Sequence, residues 1–259
     1  MVRPKGYMDF SLFCKVIDEV SGYTAAIRDK EIELFHFGES LLHRQLAEMV
    51  GYASSKGLKV VLSVNAPILT PELGRRILEQ KPYKVIVSLD GYDEASYRRI
   101  RGPMADYRKA VDHVDALLAY ASGVFDTGRI CIRMIRMNEN AHYEDRFRQN
   151  WSQSGATVEV RDFFPWNLHE LTALGEVQKY PPFMPCPFPW QYLVVQWNGD
   201  VVPCCRDFNG ENVLGNITRS SLKDIWNGSK MGAFRSRMLS GQYDNAICPE
   251  CMQIYYTES

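Results

Sequence analysis

The 259-residue sequence predicts an α/β fold, with a parallel sheet followed by a small cysteine-rich domain. Two observations lead to this prediction. Up to about residue 166, apolar strand patterns alternate with amphipathic helical patterns, which is typical of parallel strands joined by crossover helices. After residue 185 the texture changes, and five of the seven cysteines lie there.

The elements of the first part follow from apolar periodicity and capping signals. A helix is predicted in MDFSLFCKVIDEV, with Asp9 as its N-cap, and another in HRQLAEMVGYASSKG, ending at Gly57. PELGRRILEQ and the segment from about Asp106 to Tyr120 are also predicted helices. Predicted strands run from Ile32 to Phe37 and through KVVLSVN, YKVIVSLDG, RICIRMIRM and ATVEVRDF.

Polar residues follow the carboxyl ends of these strands, where parallel α/β sheets bind ligands. They are Gly38, Glu39, Asn65, Ser88, Asp90, Gly91 and Asn138.

The C-terminal part is rich in turn signals. PPFMPCPFPW contains too many prolines for a long helix or a central strand. YLVVQWNGDVVPCC predicts a β-hairpin that turns at Asn198-Gly199. SLKDIWNGSKMGAFRSRML predicts a helix capped by Ser220 or Ser221, and ICPECMQ is predicted as a cysteine-bearing loop.

Composition and charge narrow the classes of function. The net charge of −1 gives no electrostatic signature of nucleic-acid or anionic-membrane binding. No apolar run approaches the roughly 18 residues of a membrane span, and no secretory signal is visible, so a cytoplasmic location is expected. The sequence lacks G-x-S-x-G, phosphate-loop and H-E-x-x-H motifs, so nothing favours an ordinary hydrolase.

The main chemical signal is the series Cys186-x17-Cys204-x43-Cys248-x2-Cys251. Four thiolates suit either a tetrahedral zinc ion or an iron–sulfur cluster, and the spacing does not choose between them. Buried cysteines without a metal are the alternative. Cys205 competes with Cys204, but only one should face the centre if side chains alternate along a strand. Cys14 and Cys131 lie among apolar residues and are predicted to be core.

At these residues the chain resembles the SPASM/twitch auxiliary-cluster region of radical S-adenosylmethionine (radical SAM) enzymes. The resemblance rests on CPFPWQYLVVQWNGDVVPCC, on LGN and SLKDIW, and on CPEC. It implies one auxiliary [4Fe–4S] cluster held by Cys186, Cys204, Cys248 and Cys251, with Cys204 completing Gly-x4-Cys from Gly199. The nearest type is the 2-deoxy-scyllo-inosamine (aminocyclitol) dehydrogenases.

The first part resembles the same family. HFGESLLH resembles the motif that holds the amino group of S-adenosyl-L-methionine (SAM), which maps to Gly38 and Glu39. VLSVNAPIL places Ser63 and Asn65 near SAM, and VSLDGYDEASYRRIRG does so for Ser88 and Asp90. Singly, each motif could be only a turn at a strand end. Arg101, Arg133 and Arg136 could meet a carboxylate, but solvated or ion-paired arginines are commoner.

Together these motifs imply a partial (β/α)6 radical SAM barrel without its first strand. The expected boundaries are residues 1–166 for the barrel, 167–185 for a linker and 186–259 for the auxiliary domain.

The sequence departs from the family at one point, because it contains no Cys-x3-Cys-x2-Cys. In the family these three cysteines hold the cluster that cleaves SAM. RPKGYMDFSLFCKVIDEV resembles the segment just after that motif, so truncation is expected rather than a natural loss. We therefore expect no SAM cleavage by these 259 residues and assign no catalytic residue.

The resemblance implies an oxidoreductase that abstracts hydrogen with a 5′-deoxyadenosyl radical, as in oxidation of a small alcohol or aminocyclitol. Flavodoxin or ferredoxin would be the electron donor. The alternatives are a peptide-modifying maturase, whose substrate is a peptide rather than a small molecule, and a non-enzymatic zinc or iron–sulfur module.

Overall fold

The structure is a computed structural model that describes residues 2–165, 185–245 and 247–255. They form two compact units. One spans residues 23–163, and the other combines residues 2–22 with the described residues from 164 onward. All but Pro185 of the predicted linker 167–185 lies outside the described residues. No helix in the described ranges is long and apolar enough to cross a membrane.

The first unit contains a five-stranded sheet in which every neighbouring pair of strands is parallel. The strands are β1 (Glu31–Glu33), β2 (Lys59–Asn65), β3 (Lys84–Ser88), β4 (Ile130–Arg136) and β5 (Thr157–Asp162), and their spatial order is their chain order. Because crossovers between parallel strands are right-handed, an order without reversal places the connecting helices on one face of the sheet. This is how the wall of a β/α barrel is built, and it confirms the predicted α/β class.

The helices carry clear start signals. The described helices before residue 165 are α1 (Phe10–Ser21), α2 (Ala25–Arg28), α3 (Leu46–Ser55), α4 (Pro71–Glu79), α5 (Glu94–Arg101), α6 (Tyr107–Ala121) and α7 (Glu144–Trp151). Asp9 caps α1 as predicted, and Asp106 caps α6. Helices α5 and α7 were not predicted. A capping box formed by Asp93 and Ser96 starts α5.

Strand β1 is shorter than predicted, ending at Glu33 rather than Phe37. One further backbone bond joins Leu34 N–H to the Val61 carbonyl, and the chain then turns away. The Ser40 hydroxyl closes this turn by donating to the Leu34 carbonyl at 2.6 Å. Gly38, at φ +129°, supplies a conformation that side chains disfavour. Local turn chemistry therefore overrides the apolar pattern.

The second unit contains a three-stranded antiparallel sheet. Its strands are β6 (Val194–Val195), β7 (Asp200–Val202) and β8 (Gly215–Asn216). The hairpin between β6 and β7 turns at Asn198-Gly199 as predicted, with Gly199 at φ +85°. A one-turn helix, α8 (Phe188–Gln191), precedes this hairpin.

The predicted single helix after residue 220 is two helices, α9 (Leu222–Asn227) and α10 (Ser229–Leu239), which meet at an extended Gly228. Ser221 rather than Ser220 is the cap, since its side chain accepts from Asp224 N–H. Both helices bury apolar side chains in a core that includes Val201, Ile217 and Met231.

The predicted terminal loop is instead a helix, α11 (Cys248–Tyr255). The Asn245 side-chain oxygen accepts from the N–H groups of Ile247 and Cys248, which satisfies donors that a helix start leaves open. Pro249 stands in the first turn, where its missing N–H and fixed φ favour helix initiation. Proline therefore starts a helix here rather than stiffening a loop.

Residues 2–22 pack with the C-terminal segments. The α1 residues Leu12, Val16 and Val20 contact the second unit's apolar core. The Trp197 indole N–H donates to the Pro4 carbonyl at 3.1 Å, and Lys223 N–H donates to Glu19 at 3.1 Å. These packing units do not test the boundaries 1–166, 167–185 and 186–259, which stay predictions.

Gly6 gives a first testable prediction, because a Cβ at this residue would lie 2.5 Å from the Trp197 ring. We expect Gly6→Ala to lower the free energy of unfolding by about 1–3 kcal/mol, since ring or backbone must shift. Gly232, in α10, has open space around its Cβ position. The control Gly232→Ala should raise stability by up to about 1 kcal/mol. Urea unfolding midpoints measure both, and equal midpoints would contradict the contact.

Candidate functional site

Five thiols come from three separate segments of the second unit. Cys186 precedes α8, Cys204 and Cys205 lie in the turn after β7, and Cys248 and Cys251 lie on α11. A separation of three residues places Cys248 and Cys251 on one face of that helix. All seven cysteines of the chain are described, and all are free thiols.

These thiols are close enough to influence one another's ionisation. Burial raises the pKa of Cys186, and a charge on Cys248 raises it further. Burial raises the pKa of Cys251 to about 12, and charges on Cys186, Cys248 and Cys205 contribute in the same direction. Burial and then Cys205 raise the pKa of Cys204, and Cys186 adds to this. The four predicted ligands therefore converge on one partly buried site.

Hydrogen bonds to sulfur stabilise the thiolate that a metal centre requires. The Phe188 N–H bonds to Cys186, and the N–H groups of Arg206 and Asp207 bond to Cys204. Each bond lowers the pKa of its cysteine against the larger effect of burial. Such a site favours binding with release of the thiol protons.

Cys205 is nearer the site than the sequence argument assumed. Strand β7 ends at Val202, so Cys204 and Cys205 lie in a turn and strand alternation does not separate them. The two amide bonds to the Cys204 sulfur favour that residue as the ligand, which stays a prediction.

Single-ion geometry is a separate question. In the described part of the chain, no three His, Cys, Asp or Glu side chains form a group that could hold one metal ion. Zn–S bonds of about 2.3 Å would require much closer sulfurs than a four-iron cluster does. The electrostatic coupling of the thiols, rather than a preformed chelate, is the observation that supports a shared centre.

The sheet of the first unit has two different faces. One is apolar throughout, with every member at most 2% exposed: Val60, Leu62, Val64, Val85, Val87, Ile130, Ile132 and Met134. The strand register aligns polar residues on the other face. We call this set the polar face, and its members are Ser63, Asn65, Ser88, Arg133, Glu159 and Arg161. It lies above a small apolar cluster that contains Val61, Ile86 and Cys131.

A hydrogen-bond network joins three of the sequence-predicted ligands. The Glu39 carboxylate accepts from the Asn65 N–H at 3.0 Å and from the Asn65 amide at 2.6 Å. The Asn65 side-chain oxygen accepts from Arg101 at 2.9 Å, and Arg101 forms an ion pair with Asp90. The network therefore joins the ends of β2 and β3.

Asp90 is 3% exposed and is fixed on its other side by β4. Its carboxylate accepts from Ile135 N–H at 2.7 Å, and its carbonyl accepts from the Asn140 amide at 2.8 Å. Asn140 is fully buried and also donates to the Ile135 carbonyl. Asn140, rather than the predicted Asn138, is thus the asparagine that completes this edge.

The remaining predicted SAM ligands lie beside this network. Gly38 precedes Glu39, and Ser88 is the register partner of Asn65. Ser63 is on the same face as Asn65, two residues earlier in β2. The geometry brings all six residues to adjacent strand ends, and contact with SAM stays a prediction for each.

Charged residues follow on β4 and β5. Arg133 and Arg161 both donate to Glu159, at 2.8 and 2.6 Å, and the Cys131 thiol lies 3.4 Å from the same carboxylate. Arg136 pairs with Glu144 and Asp162. The ion pairing expected for Arg101, Arg133 and Arg136 is confirmed.

Two carboxyl groups associated with this face have opposite pKa shifts. Burial would raise the pKa of Glu159, but the Arg161 and Arg133 hydrogen bonds lower it to about 2. Burial raises the pKa of Glu33, Glu31 raises it further, and Arg161 and Arg133 oppose this. Sequence reasoning missed both carboxyl groups, because a charged residue in a short strand pattern resembles a solvated one.

Glu159 gives a prediction about acid stability. Its folded pKa of about 2 lies below its usual 4.5, so its stabilising effect is present above pH 4.5 and is lost as the pH falls toward 2. We expect Glu159→Gln to be less stable at neutral pH and to lose less stability between pH 4.5 and 2. Circular dichroism melts across this range measure the difference. Parallel curves for variant and wild type would contradict it.

Comparisons with known proteins bear on both sites. Residues 186–252 match the family model described as "SPASM: Iron-sulfur cluster-binding domain". The chain is 23% identical over 259 aligned residues to the S-adenosyl-L-methionine-dependent 2-deoxy-scyllo-inosamine dehydrogenase of Niallia circulans, covering 97% of this chain and 83% of that protein. The chain is a SPASM-domain radical SAM protein.

Solved structures support the fold of this radical SAM protein. BtrN in an open conformation matches with TM-score 0.55 and 20% identity, covering 95% of this chain and 80% of that one. The anaerobic structure-type name anSMEcpe, solved with bound AdoMet, matches with TM-score 0.63 and 15% identity over 90% and 72% of the two chains. At these identities the likeness shows the fold alone.

Proposed function

We propose that this SPASM-domain radical SAM protein is an oxidoreductase that acts by hydrogen abstraction on a small alcohol or aminocyclitol. In this proposal the second unit holds one auxiliary [4Fe–4S] cluster, and the polar strand ends of the first unit bind SAM. The convergence of four coupled thiols within the SPASM match carries the proposal.

The residues present fit the cluster. Cys186, Cys204, Cys248 and Cys251 would hold it, with amide N–H groups directed at two of the four sulfurs. When bound, such a cluster supplies a one-electron redox centre. The Asn245 side chain also bonds to Cys248 and lowers its pKa, so three of the four ligand sulfurs have a hydrogen-bond donor.

The first unit would bind and orient SAM. Ser63 and Ser88 present hydroxyl groups next to the Glu39–Asn65–Arg101–Asp90 network, and backbone groups near Gly38 lie at the same edge of the sheet. Because Asp90 is held by Ile135 and Arg101, its role in the proposal is to position Arg101 and the strand end. The radical step also requires a cluster whose cysteine ligands are not among these 259 residues.

The substrate class is the finer part of the proposal. Its support is the match to the scyllo-inosamine dehydrogenase across most of both chains. Arg133, Arg161 and Glu159 line the polar face and offer donors and an acceptor that suit hydroxyl and amino groups. A similar-length match to a cofactor-modifying protein of Pyrococcus furiosus, at 22% identity, leaves the reaction itself to experiment.

The deciding experiment is anaerobic quantification of iron and acid-labile sulfide in the wild-type chain, with its visible spectrum. About four irons and four sulfides per chain are expected. Stoichiometric zinc without recoverable iron after reconstitution would overturn the cluster and favour a structural module. Calorimetric titration with SAM tests the other half, and loss of SAM binding in Asn65→Ala, with the cluster intact, is the expected outcome.

A further inference from the structure

Arg206 is a buried cation next to the cysteine site. Its sequence position directly after Cys204 and Cys205 places its backbone N–H on the Cys204 sulfur. The residue is only 4% exposed. Arginine is rarely buried to this extent without a specific role, because removing its charge from water is costly.

The guanidinium group is held in place by the chain just after β5. Its Nη1 donates to the Pro165 carbonyl, and its Cζ lies 5.5 Å from the centre of the Phe164 ring. A carbonyl and an aromatic face orient a cation without neutralising it, since neither has a full negative charge. The positive charge therefore acts on its surroundings, and it favours the thiolate of Cys251.

Other charges near the site are arranged differently. Asp207 is 1% exposed, and its carboxylate accepts from the N–H groups of Glu211 and Asn212 at 2.7 Å each. Arg237 also favours the thiolate of Cys248, but it is paired with Asp244 at 3.2 Å and its side chain is 36% exposed. Water and the partner carboxylate weaken its field, whereas Arg206 acts from a buried position.

From this geometry we propose that Arg206 is a positioning and charge-compensating residue that raises the reduction potential of the auxiliary cluster. Reduction adds a negative charge to the centre, and a fixed buried cation stabilises the more negative state. The inference rests on the proposed function, because it requires the cluster to be present. Its consequence is a centre that accepts an electron more readily than the same four cysteines would without Arg206.

The test compares midpoint potentials of the auxiliary cluster in the full chain, measured by anaerobic redox titration with EPR detection. Arg206→Gln keeps an N–H donor and removes the charge. We expect its reduction equilibrium to be at least tenfold less favourable, which is 59 mV for a one-electron couple. Arg206→Lys keeps the charge and should stay within that interval of wild type. The matched control Arg237→Gln should shift less than Arg206→Gln.

Iron and sulfide contents separate the possible failures. A wild-type chain without a cluster would overturn the proposed function. A wild-type cluster whose potential is unchanged in an iron-replete Arg206→Gln chain would overturn this inference alone. If Arg206→Gln assembles no cluster, Arg206→Lys decides: a potential within 59 mV of wild type supports the charge effect, and a larger fall overturns it.

Discussion

Replacing Cys251 by alanine is expected to remove the auxiliary cluster and most of the iron of the chain. The residue belongs to the group of coupled thiols, and a cluster that loses one of four protein ligands is exposed to solvent and hydrolysis. Cys186→Ala, Cys204→Ala and Cys248→Ala should behave in the same way. The measurement is iron and sulfide per chain after anaerobic reconstitution, together with the visible absorption of the cluster.

Two cysteines provide matched controls. Cys14 lies on α1, and Cys131 lies in β4 beside Glu159, where burial raises its pKa to about 12 or slightly less, at about 11. Alanine at either residue should leave the iron content unchanged. Cys205→Ala separates the two neighbours in the turn. Full iron in Cys204→Ala with loss in Cys205→Ala would reverse the ligand assignment.

The second large effect is expected at Asp90. Asp90→Ala leaves the buried Ile135 N–H without its acceptor and Arg101 without its ion-pair partner. We expect the free energy of unfolding to fall by about 3 kcal/mol. Amide hydrogen exchange should rise most at Ile135 and the end of β4, which locates the effect in the sheet.

Asp90→Asn is the companion variant. Its side-chain oxygen can still accept from Ile135 N–H, so the loss of stability should be smaller than in Asp90→Ala. SAM affinity should fall in both, because Arg101 no longer holds Asn65 through a charged partner. Unchanged exchange at Ile135 in Asp90→Ala would show that the strand end does not depend on this carboxylate.

The sequence allowed the sheet to be predicted well, because its strands are continuous apolar runs. Strands β2 to β5 all lie within predicted segments, and the Asn-Gly turn of the hairpin is where composition indicated. Errors arose where short-range polar contacts decide the backbone. Ser40 ends β1 early, and Asn245 with Pro249 makes a helix of the predicted loop.

The candidate sites were predictable in part. Cysteine spacing identified the four coupled thiols, because a metal centre selects residue type and order. It could not identify Arg206, whose role depends on burial and on contacts with Phe164 and Pro165, some forty residues earlier in the chain. Arg101 was likewise underrated, because a helical arginine gives no signal that it will join Asn65 to Asp90.

The packing of α1 with segments near the other end of the chain has a consequence for biosynthesis. Leu12, Val16 and Val20 find their apolar partners only among residues that the ribosome makes last, such as Ile225 and Phe234. Until then, the stripe on α1 has no native surface to cover it, and closing so long a loop is slow. A fragment that begins at residue 186 would lack α1, so expression of the cysteine-rich unit should include residues 2–22 as a co-expressed or fused segment.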